Sequence, residues 1–189
     1  LIAILGATAM ILVGAIPYEE ALLKVDLNVV FLLGGMRIII NILSQTGVFE
    51  WVAITLAKSA RGRGVLLLPL LLLATAVFSA FLDNVTTLIL IVPATILICQ
   101  LLELPATLFL TLEAIFSNIG GTATLIGDPP NILIGSKSNA SPLLGEYGLL
   151  DFNAFIVHLS PIIVVVLVVA LFATMPIYRK RLHVSTAAR

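Results

Sequence analysis

The sequence predicts an all-α membrane protein that contains a helical hairpin and a broken transmembrane helix. Of its 189 residues, 60% are hydrophobic and 11% are charged, and the mean hydropathy is +1.20. This balance excludes a soluble globular domain and predicts an integral, multi-pass membrane protein. Helix-breaking and polar residues interrupt the apolar sequence at residues 79–87 and 118–131. Non-helical backbone at membrane depth is tolerated only against protein or water, so both interruptions should line a site.

The N-terminal 60 residues are expected to form scaffold-like helices. Residues 1–16 resemble a transmembrane helix cut at its start, which predicts that the chain is one part of a longer protein. Residues 27–43 can form the next span, although they include Arg37. For residues 44–60 we predict a helix at the membrane surface, because charges interrupt this segment and Trp51 suits the interface. A further spanning helix is the alternative.

Two long uncharged segments, residues 64–82 and 84–102, are separated only by Asp83. At about 1.5 Å per residue, each segment nearly crosses a hydrocarbon core of about 30 Å. The reversal between them is expected to use residues 79–87 and so to leave each arm marginal in length. The result is a helical hairpin whose tip lies either inside the membrane or at the far surface, and which returns the chain to the side it left.

The broken transmembrane helix follows the hairpin. Residues 104–117 make roughly 21 Å of helix, which is too short to cross, and residues 132–135 add only about one further turn. Three glycines between them would let backbone approach an ion or a substrate closely: Gly120, Gly121 and Gly127. The prolines at 129–130 should keep this segment from becoming helical.

The C-terminal part is predicted to contain a loop, a short helix and a final span. Residues 137–150 are polar and rich in turn formers, which indicates an aqueous loop. Residues 151–158 should begin a short surface helix, and residues 161–177 form the last span. Pro161 is acceptable in the first turn of that span.

The basic residues set the predicted topology. They form two clusters, Lys58, Arg61 and Arg63 in one, and Arg179, Lys180 and Arg181 in the other. If the first span runs outward, both clusters fall on the cytoplasmic face, as the positive-inside rule requires. The opposite face then receives Glu19, Glu20, Glu146 and Asp151, with Lys24 and Lys137 as exceptions. We therefore predict that Arg61 and Arg181 face the cytoplasm and that Ser141 faces the other side.

Three acidic residues fall at membrane depth in this tracing: Asp83, Glu113 and Asp128. An ionised carboxylate there costs several kcal/mol unless water, a cation or a partner compensates. These residues therefore predict coupling to a cation or to protons. Structural pairing, for instance with Arg37, is the alternative, and for Glu113 alone bracing a neighbour is as reasonable as titration. Ordinary back-bonding to the same helix is expected for the hydroxyls of Thr75, Thr95 and Thr107.

The candidate binding residues come from the two interruptions. Those for substrate or ion are Asp83, Asn84, Thr86, Thr87, Asn118, Gly120, Gly121, Thr122, Gly127, Asp128, Pro129 and Asn131, with Glu113 and Arg37 in support. Oxygen ligands suit hard cations, and the positive ends of half-helices attract anions. We expect the hairpin tip and the break to meet at mid-depth, with a sodium site at Asn84, Thr86, Thr122 and Asp128. No cofactor is expected besides sodium or a proton as the coupling ion.

The leading functional hypothesis is a secondary transporter that lies in a lipid bilayer and moves a small ion or organic anion. Binding of nucleic acid is not expected. An anion channel is the alternative, because the same polar broken helix could line a pore. An intramembrane enzyme is not favoured, because the sequence has no His-Glu-x-x-His, Gly-x-Ser-x-Gly or paired-His motif.

Two segments carry a resemblance to a known family: SAFLDNVTT at 79–87 and EAIFSNIGGTATLIGDPPN at 113–131. They resemble the ion transporter superfamily, which includes arsenite and sodium/proton permeases (ArsB/NhaD type) and citrate-transporter-like domains. The resemblance is strongest to its P-protein-like members. The resemblance extends over most of the chain. It implies an elevator-type transporter with a hairpin re-entrant from the cytoplasm. The sequence does not distinguish a plasma membrane, a bacterial membrane and a melanosome- or lysosome-like organellar membrane. The resemblance also implies that residues 1–189 are the first of two inverted repeats, the N-terminal half of the transmembrane domain, and a homodimer is expected.

The same resemblance divides the chain and assigns ligands. Residues 1–60 would be scaffold and interfacial helices, residues 61–137 would carry the site, and residues 151–181 would form the connecting helix and final span. In relatives the matching tip and loop hold sodium; the corresponding residues here are Asn84, Thr86, Gly121, Thr122, Gly127, Pro129 and Asn131. This chain departs from the relatives at Asp83, which occupies a serine position, and at Arg37, which charges a span that is usually uncharged.

Overall fold

The computed structural model describes residues 1–23, 25–61, 63–139 and 150–178, and all regular structure in these ranges is helical. Four helices are long and apolar enough to cross a membrane: Leu27–Ser44, Gly64–Phe81, Asn84–Leu101 and Phe152–Pro176. The prediction of an all-α, multi-pass membrane protein is therefore confirmed.

The helices take their order from the chain. They are α1 (Ile2–Leu12), α2 (Tyr18–Leu23), α3 (Leu27–Ser44), α4 (Val48–Ser59), α5 (Gly64–Phe81), α6 (Asn84–Leu101), α7 (Ala106–Gly121), α8 (Pro129–Asn139), α9 (Phe152–Ala154) and α10 (Ser160–Tyr178), with a π-helical turn at Phe155–Leu159 between the last two. Helix α1 buries none of its residues.

The core is a bundle of α5, α6 and α7, with α4 packed against α5 and α6, and α10 packed against α5 and α7. Its buried side chains include Leu67, Leu68, Leu71, Leu72, Cys99, Phe109, Leu112 and Phe116. At Gly120, α7 comes so close to α5 that an added Cβ would lie 2.6 Å from the carbonyl carbon of Ala76. Small residues at such contacts let membrane helices pack backbone to backbone, because lipid provides no hydrophobic drive for helix association.

Helix α4 supports the bundle from one side. It has 12 residues, which is about 18 Å of helix and too short to cross, so the alternative of a spanning helix is not supported. Phe49 and Ala53 are buried on its inner face. The ring of Phe49 meets Phe78 of α5 edge to face, with 5.1 Å between centroids. This contact holds α4 against the hairpin.

Helix α3 is attached to α8 through its own N-cap. The Asp26 carboxylate accepts hydrogen bonds from the backbone N–H groups of Asn28 and Val29, at 3.0 and 3.4 Å, and so caps α3. The Ser136 hydroxyl of α8 donates to the other Asp26 oxygen. The Ser136 bond, with smaller contributions from the two backbone bonds, lowers the pKa of Asp26, although partial desolvation acts in the opposite direction. One carboxylate therefore both starts α3 and joins it to α8.

The hairpin turn is tighter than predicted. Only Leu82 and Asp83 separate α5 from α6, and each arm has 18 residues, about 27 Å of helix. The expectation of a reversal over residues 79–87 was therefore wrong, although arms of this length remain marginal for a hydrocarbon core of about 30 Å. Asp83 accounts for the difference, because its side chain accepts from the Thr86 N–H at 2.8 Å and caps α6 immediately after the turn.

The broken helix also differs from the prediction. Helix α7 continues to Gly121, beyond the expected end at residue 117, and α8 has 11 residues where about one turn was expected. The prolines at 129–130 begin α8 and do not prevent it, because the first helical positions need no backbone N–H donor. The non-helical segment is limited to residues 122–128.

The predicted loop at residues 137–150 is wrong at its start, because α8 continues through residue 139. Residues 140–149, with Ser141 and Glu146, lie outside the described residues, as do Lys24 and the basic residues 179–181. The topology prediction for these residues therefore stays a prediction.

The C-terminal span begins earlier than predicted. Helical residues run without a gap from Phe152 to Tyr178, so the expected surface helix at 151–158 is the first part of the last span. Pro161 lies inside this run, not in its first turn. Proline lacks the N–H and clashes with the preceding turn of an α-helix. A π-helical turn precedes Pro161 and is closed by the hydrogen bond from the Ser160 N–H to the Phe155 carbonyl oxygen. The backbone of such a turn is wider than that of an α-helix and accommodates the proline.

Candidate functional site

The hairpin tip and the break between α7 and α8 meet, as the sequence predicts. Asn84 Nδ2 at the start of α6 donates to Asn118 Oδ1 near the end of α7, at 3.1 Å. The Ser79 hydroxyl lies 2.7 Å from Asn84 Oδ1 and 2.7 Å from the Ser117 carbonyl oxygen. These contacts join α5, α6 and α7 at one place, which we call the tip–break junction: Ser79, Asn84, Ser117, Asn118 and Gly121.

Glycine is required on both sides of this junction. A Cβ at Gly121 would collide with Asn84 Oδ1 and lie 2.8 Å from the Gly127 carbonyl oxygen. A Cβ at Gly127 would lie 2.7 Å from the Ser79 carbonyl oxygen. Real Cβ atoms essentially never come this close, so the chain can pass here only because no side chain intervenes. At Gly121 and Gly127 the backbone thus closely approaches other parts of the protein, whereas the predicted approach to an ion or a substrate stays a prediction.

Thr124 holds the non-helical segment in place. Its hydroxyl donates to the Ala80 carbonyl at the end of α5 and accepts from the Gly127 N–H at 3.1 Å. Asn131 Nδ2 of α8 then donates to the Thr124 carbonyl at 2.9 Å. Protein groups therefore satisfy part of the non-helical backbone, as a membrane interior demands.

A cavity of about 270 Å³ opens between α3 and the two interruptions. Its polar lining is Arg37 from α3, Asp83 and Asn84 from the hairpin tip, and Asp128 from the break, with Leu33, Met36, Val85 and Pro129 completing the wall. Both α6 and α8 begin at this wall, so their N-termini add partial positive charge. The lining can therefore offer oxygen ligands to a cation and positive charge to an anion.

Asp83 and Asp128 differ in how they are held. Asp83 is 8% exposed, and both of its oxygens engage Thr86, one through the backbone N–H and one through the hydroxyl. Asp128 is half-buried, and its backbone carbonyl accepts from the N–H of Asn131 in the first turn of α8. Asp83 is thus a rigid wall residue, whereas the Asp128 carboxylate lies beside the start of a helix.

The predicted sodium set is only partly brought together. Asn84 and Asp128 line the cavity. Thr86 lines an adjacent cavity with Arg37, Asn41 and others, and the Thr122 hydroxyl donates to its own helix at Asn118 O, 2.8 Å away. The ion-binding role of all four residues stays a prediction.

Two other predicted site residues lie inside the bundle. Gly120 packs against α5, as described above. Thr87 is fully buried on α6, and its hydroxyl has no hydrogen-bond partner among the described residues. Both therefore contact the protein interior, and neither is among the residues that line the cavity.

Glu113 lies deeper in the bundle than the junction. It is fully buried on α7, and its Oε1 accepts from the Thr95 hydroxyl of α6 at 2.7 Å. The expectation that Thr95 bonds back to its own helix was therefore wrong, because the packing of α6 against α7 places the Glu113 carboxyl within reach of this hydroxyl. Thr75 does bond back, to Leu71 O at 2.9 Å, as expected.

Several Ser and Thr residues in and around the junction were not among the candidates. The hydroxyls of Ser79 and Thr124 and the backbone carbonyl of Ser117 join the interruptions, and the Ser160 hydroxyl of α10 donates to the Ala123 carbonyl at 2.7 Å. Their signal in the sequence is weak, because a single Ser or Thr in an apolar helix is ordinarily a back-bonding residue. Position next to a helix interruption was the feature that could have selected them.

The fold and the site define the class: a multi-pass helical membrane protein in which two helix interruptions meet beside a polar cavity. The chain belongs to the citrate transporter family (CitMHS), whose sequence model matches residues 1–189. The resemblance to the ion transporter superfamily is thereby confirmed.

Named relatives agree with this family. The chain is 44% identical over 180 residues to an uncharacterized transporter of Mycobacterium tuberculosis, covering 93% of this chain and 39% of the relative. It is 40% identical over 175 residues to the P protein of Mus musculus, with 90% and 20% covered. The P protein of Homo sapiens is 44% identical over 145 residues, with 77% and 17% covered. The chain thus spans two fifths or less of these relatives, and no solved structure matches it.

Proposed function

We propose that this chain forms part of a secondary active transporter that moves a small ion or organic anion, with transport coupled to sodium or protons. The observation that carries the proposal is the tip–break junction, where two helix interruptions meet beside a cavity lined by Arg37, Asp83, Asn84 and Asp128. Polar, non-helical backbone of this kind is how many secondary transporters build a binding site.

The charges of the cavity suggest how coupling works. Asp83 and Asp128 together outweigh the single positive charge of Arg37, so an empty cavity disfavours an anion. A bound sodium ion or proton would bring the net charge of these three side chains from −1 to zero. At an effective dielectric constant of about 20, a unit charge about 4 Å away contributes roughly 4 kcal/mol, or roughly a thousandfold in anion affinity. A cation at the carboxylates therefore prepares the cavity for an anion held by Arg37 and the helix N-termini.

The wider architecture is proposed from the family resemblance. The chain would be the first of two inverted repeats in an elevator-type homodimer, with a hairpin re-entrant from the cytoplasm. Residues 1–60 would act as scaffold and residues 61–137 would carry the site. The coverage of two fifths or less of the relatives supports a second repeat elsewhere in the full-length protein. The family and the transporter names of relatives favour a transporter over the alternative of an anion channel.

The test is flux into vesicles reconstituted with the full-length protein. Citrate, succinate and chloride are offered under a sodium gradient, a proton gradient or neither. We expect uptake of an organic anion that saturates and follows one of the ion gradients. Flux that rises linearly with concentration and follows only the membrane potential would indicate a channel, and absence of gradient-driven uptake of any small ion would overturn the proposal.

A further inference from the structure

Glu113 is a buried acid with an unpaired oxygen. Its side chain is fully buried between the helices of the bundle, Oε1 accepts one hydrogen bond from Thr95, and Oε2 has no partner among the described residues. Most buried polar atoms of proteins are hydrogen-bonded, so an orphan carboxyl oxygen needs a specific explanation.

No countercharge is provided by the helices packed around it. Helix α7 packs against α5, α6 and α10. The sequences of these three helices contain no Asp, Glu, Lys, Arg or His, and Glu113 is the only residue of these types in α7. The titratable group that faces it is the Cys99 thiol of α6, which is close enough to interact with it electrostatically. Tyr178 lies at the far end of α10.

An ionised Glu113 would therefore be a charge in an apolar interior with one hydrogen bond and no partner ion. The desolvation cost of such a charge is several kcal/mol, and a buried acid without compensation ordinarily takes up a proton. A neutral acid keeps the Thr95 bond, because its carbonyl oxygen still accepts from the hydroxyl. Geometry and charge thus favour the protonated form in this conformation.

We propose that Glu113 is a proton-binding residue: its carboxylate takes up one proton from water to form the neutral acid while α5, α6 and α7 are packed as in this structure, and returns that proton to water when the bundle opens. This assignment deepens the proposed transport function, on which its role in coupling rests. It separates the proton site from the cavity at Asp83 and Asp128, which remains free to bind a cation and an anion.

The link from Glu113 to the cavity is short. Ser117 follows Glu113 by one turn on the same face of α7, about 6 Å along the helix. The carbonyl of Ser117 contacts the Ser79 hydroxyl, which also contacts Asn84. Moving α7 far enough to hydrate Glu113 therefore also disturbs the tip–break junction, so proton release and the shape of the cavity change together.

Infrared spectroscopy of the full-length protein in lipid measures the protonation directly. At neutral pH we expect an acid carbonyl band that disappears in Glu113→Gln and shifts in Thr95→Val, which loses the hydrogen bond. Glu103→Gln serves as the matched control, because Glu103 is exposed in the turn between α6 and α7 and its substitution should leave the band intact. A carboxylate band that is lost in Glu113→Gln, with no loss of an acid band, would overturn the proposal.

Transport measurements then separate the proton site from the proposed function. Glu113→Gln mimics the neutral acid, so we expect a folded protein whose uptake no longer responds to a proton gradient, while Glu103→Gln responds like the wild type. If the acid band is present but neither protein transports, the proton site stands and the transport proposal fails. If Glu113→Gln retains full proton-driven uptake, that outcome overturns the role of Glu113 in coupling while leaving the transport proposal intact.

Discussion

At the scale of single residues, Asp83 has two tasks that a substitution can separate. It caps α6 through the Thr86 N–H, and it places a negative charge on the cavity wall. Asparagine is as good a cap as aspartate, so Asp83→Asn should leave the helix start intact and remove only the charge. We expect Asp83→Asn and Asp128→Asn proteins that fold and insert but whose transport is lost or no longer follows the sodium or proton gradient.

Uptake in vesicles across sodium and pH gradients checks this expectation, with Glu19→Gln as control, since Glu19 is an exposed carboxylate in α2. Unchanged ion and pH dependence in both asparagine variants would mean that these carboxylates are structural.

Gly121 provides a steric test of the junction. In Gly121→Ala the new methyl group would collide with Asn84 Oδ1, so either Asn84 or the break must move. Overpacking of this kind costs about 1–3 kcal/mol, and we expect a lower Tm in detergent together with impaired transport. Gly34→Ala on α3 is the matched control, because no atom lies within 4 Å of its added Cβ. Equal Tm and equal uptake in the two variants would contradict the tight junction described here.

Sequence reasoning found the charged residues of the site more readily than its hydroxyls. Asp83 and Asp128 are recognisable because charge at membrane depth is costly and must be compensated. The Thr95–Glu113 bond was not predictable, because it depends on the register between α6 and α7. That register is set by the packing of both helices, which the sequence of either one does not reveal.

At the scale of elements, the apolar segments predicted most of the helices, but not α2 or most of α8, and not where several helices end. The cap at Asp83 shortened the hairpin turn, and the two prolines at 129–130 began a helix that they were expected to prevent. Pro161 was placed at a helix start but lies within a longer helix beside a π-helical turn. In each case the capping or helix-start preference of the residue was valid. The helix boundary at which that preference applies was set by the hydrogen bonds of the neighbouring backbone.

The break itself is an element whose stability can be measured. Thr124→Val keeps the shape of the side chain but removes its hydrogen bonds to Ala80 O and from Gly127 N–H. Leaving such buried groups unpaired costs about 1–3 kcal/mol each, so we expect a clear fall in Tm.

Thr55→Val is the comparison for this experiment, because the Thr55 hydroxyl is exposed and bonds only back to Trp51 O. Its effect should stay within about 0.5 kcal/mol. A Tm for Thr124→Val equal to that of Thr55→Val would show that the non-helical segment does not depend on this hydroxyl.

At the scale of the whole molecule, the remaining expectation is topology. The basic clusters predict that position 61 faces the cytoplasm and position 141 faces the opposite side. Single cysteines introduced as Arg61→Cys and Ser141→Cys in the full-length protein should react with a membrane-impermeant reagent from opposite sides of sealed vesicles. The native Cys99 should contribute little background, because it is fully buried in the core. Labelling of both positions from one side would reverse the tracing.

The cavity has walls that belong to two different parts of the chain. Arg37 comes from α3, within the proposed scaffold, whereas Asp83, Asn84 and Asp128 belong to the proposed moving part. In the proposed elevator arrangement, the cavity would lie at the interface between a stationary part and a moving part of the protein. If residues 61–137 slide along residues 1–60, a bound cation travels with its carboxylates while Arg37 stays behind. Before this movement an anion would be attracted by the cation, by Arg37 and by the helix N-termini. After it, only the cation and the helix N-termini would attract the anion, so the movement itself would favour release on the far side.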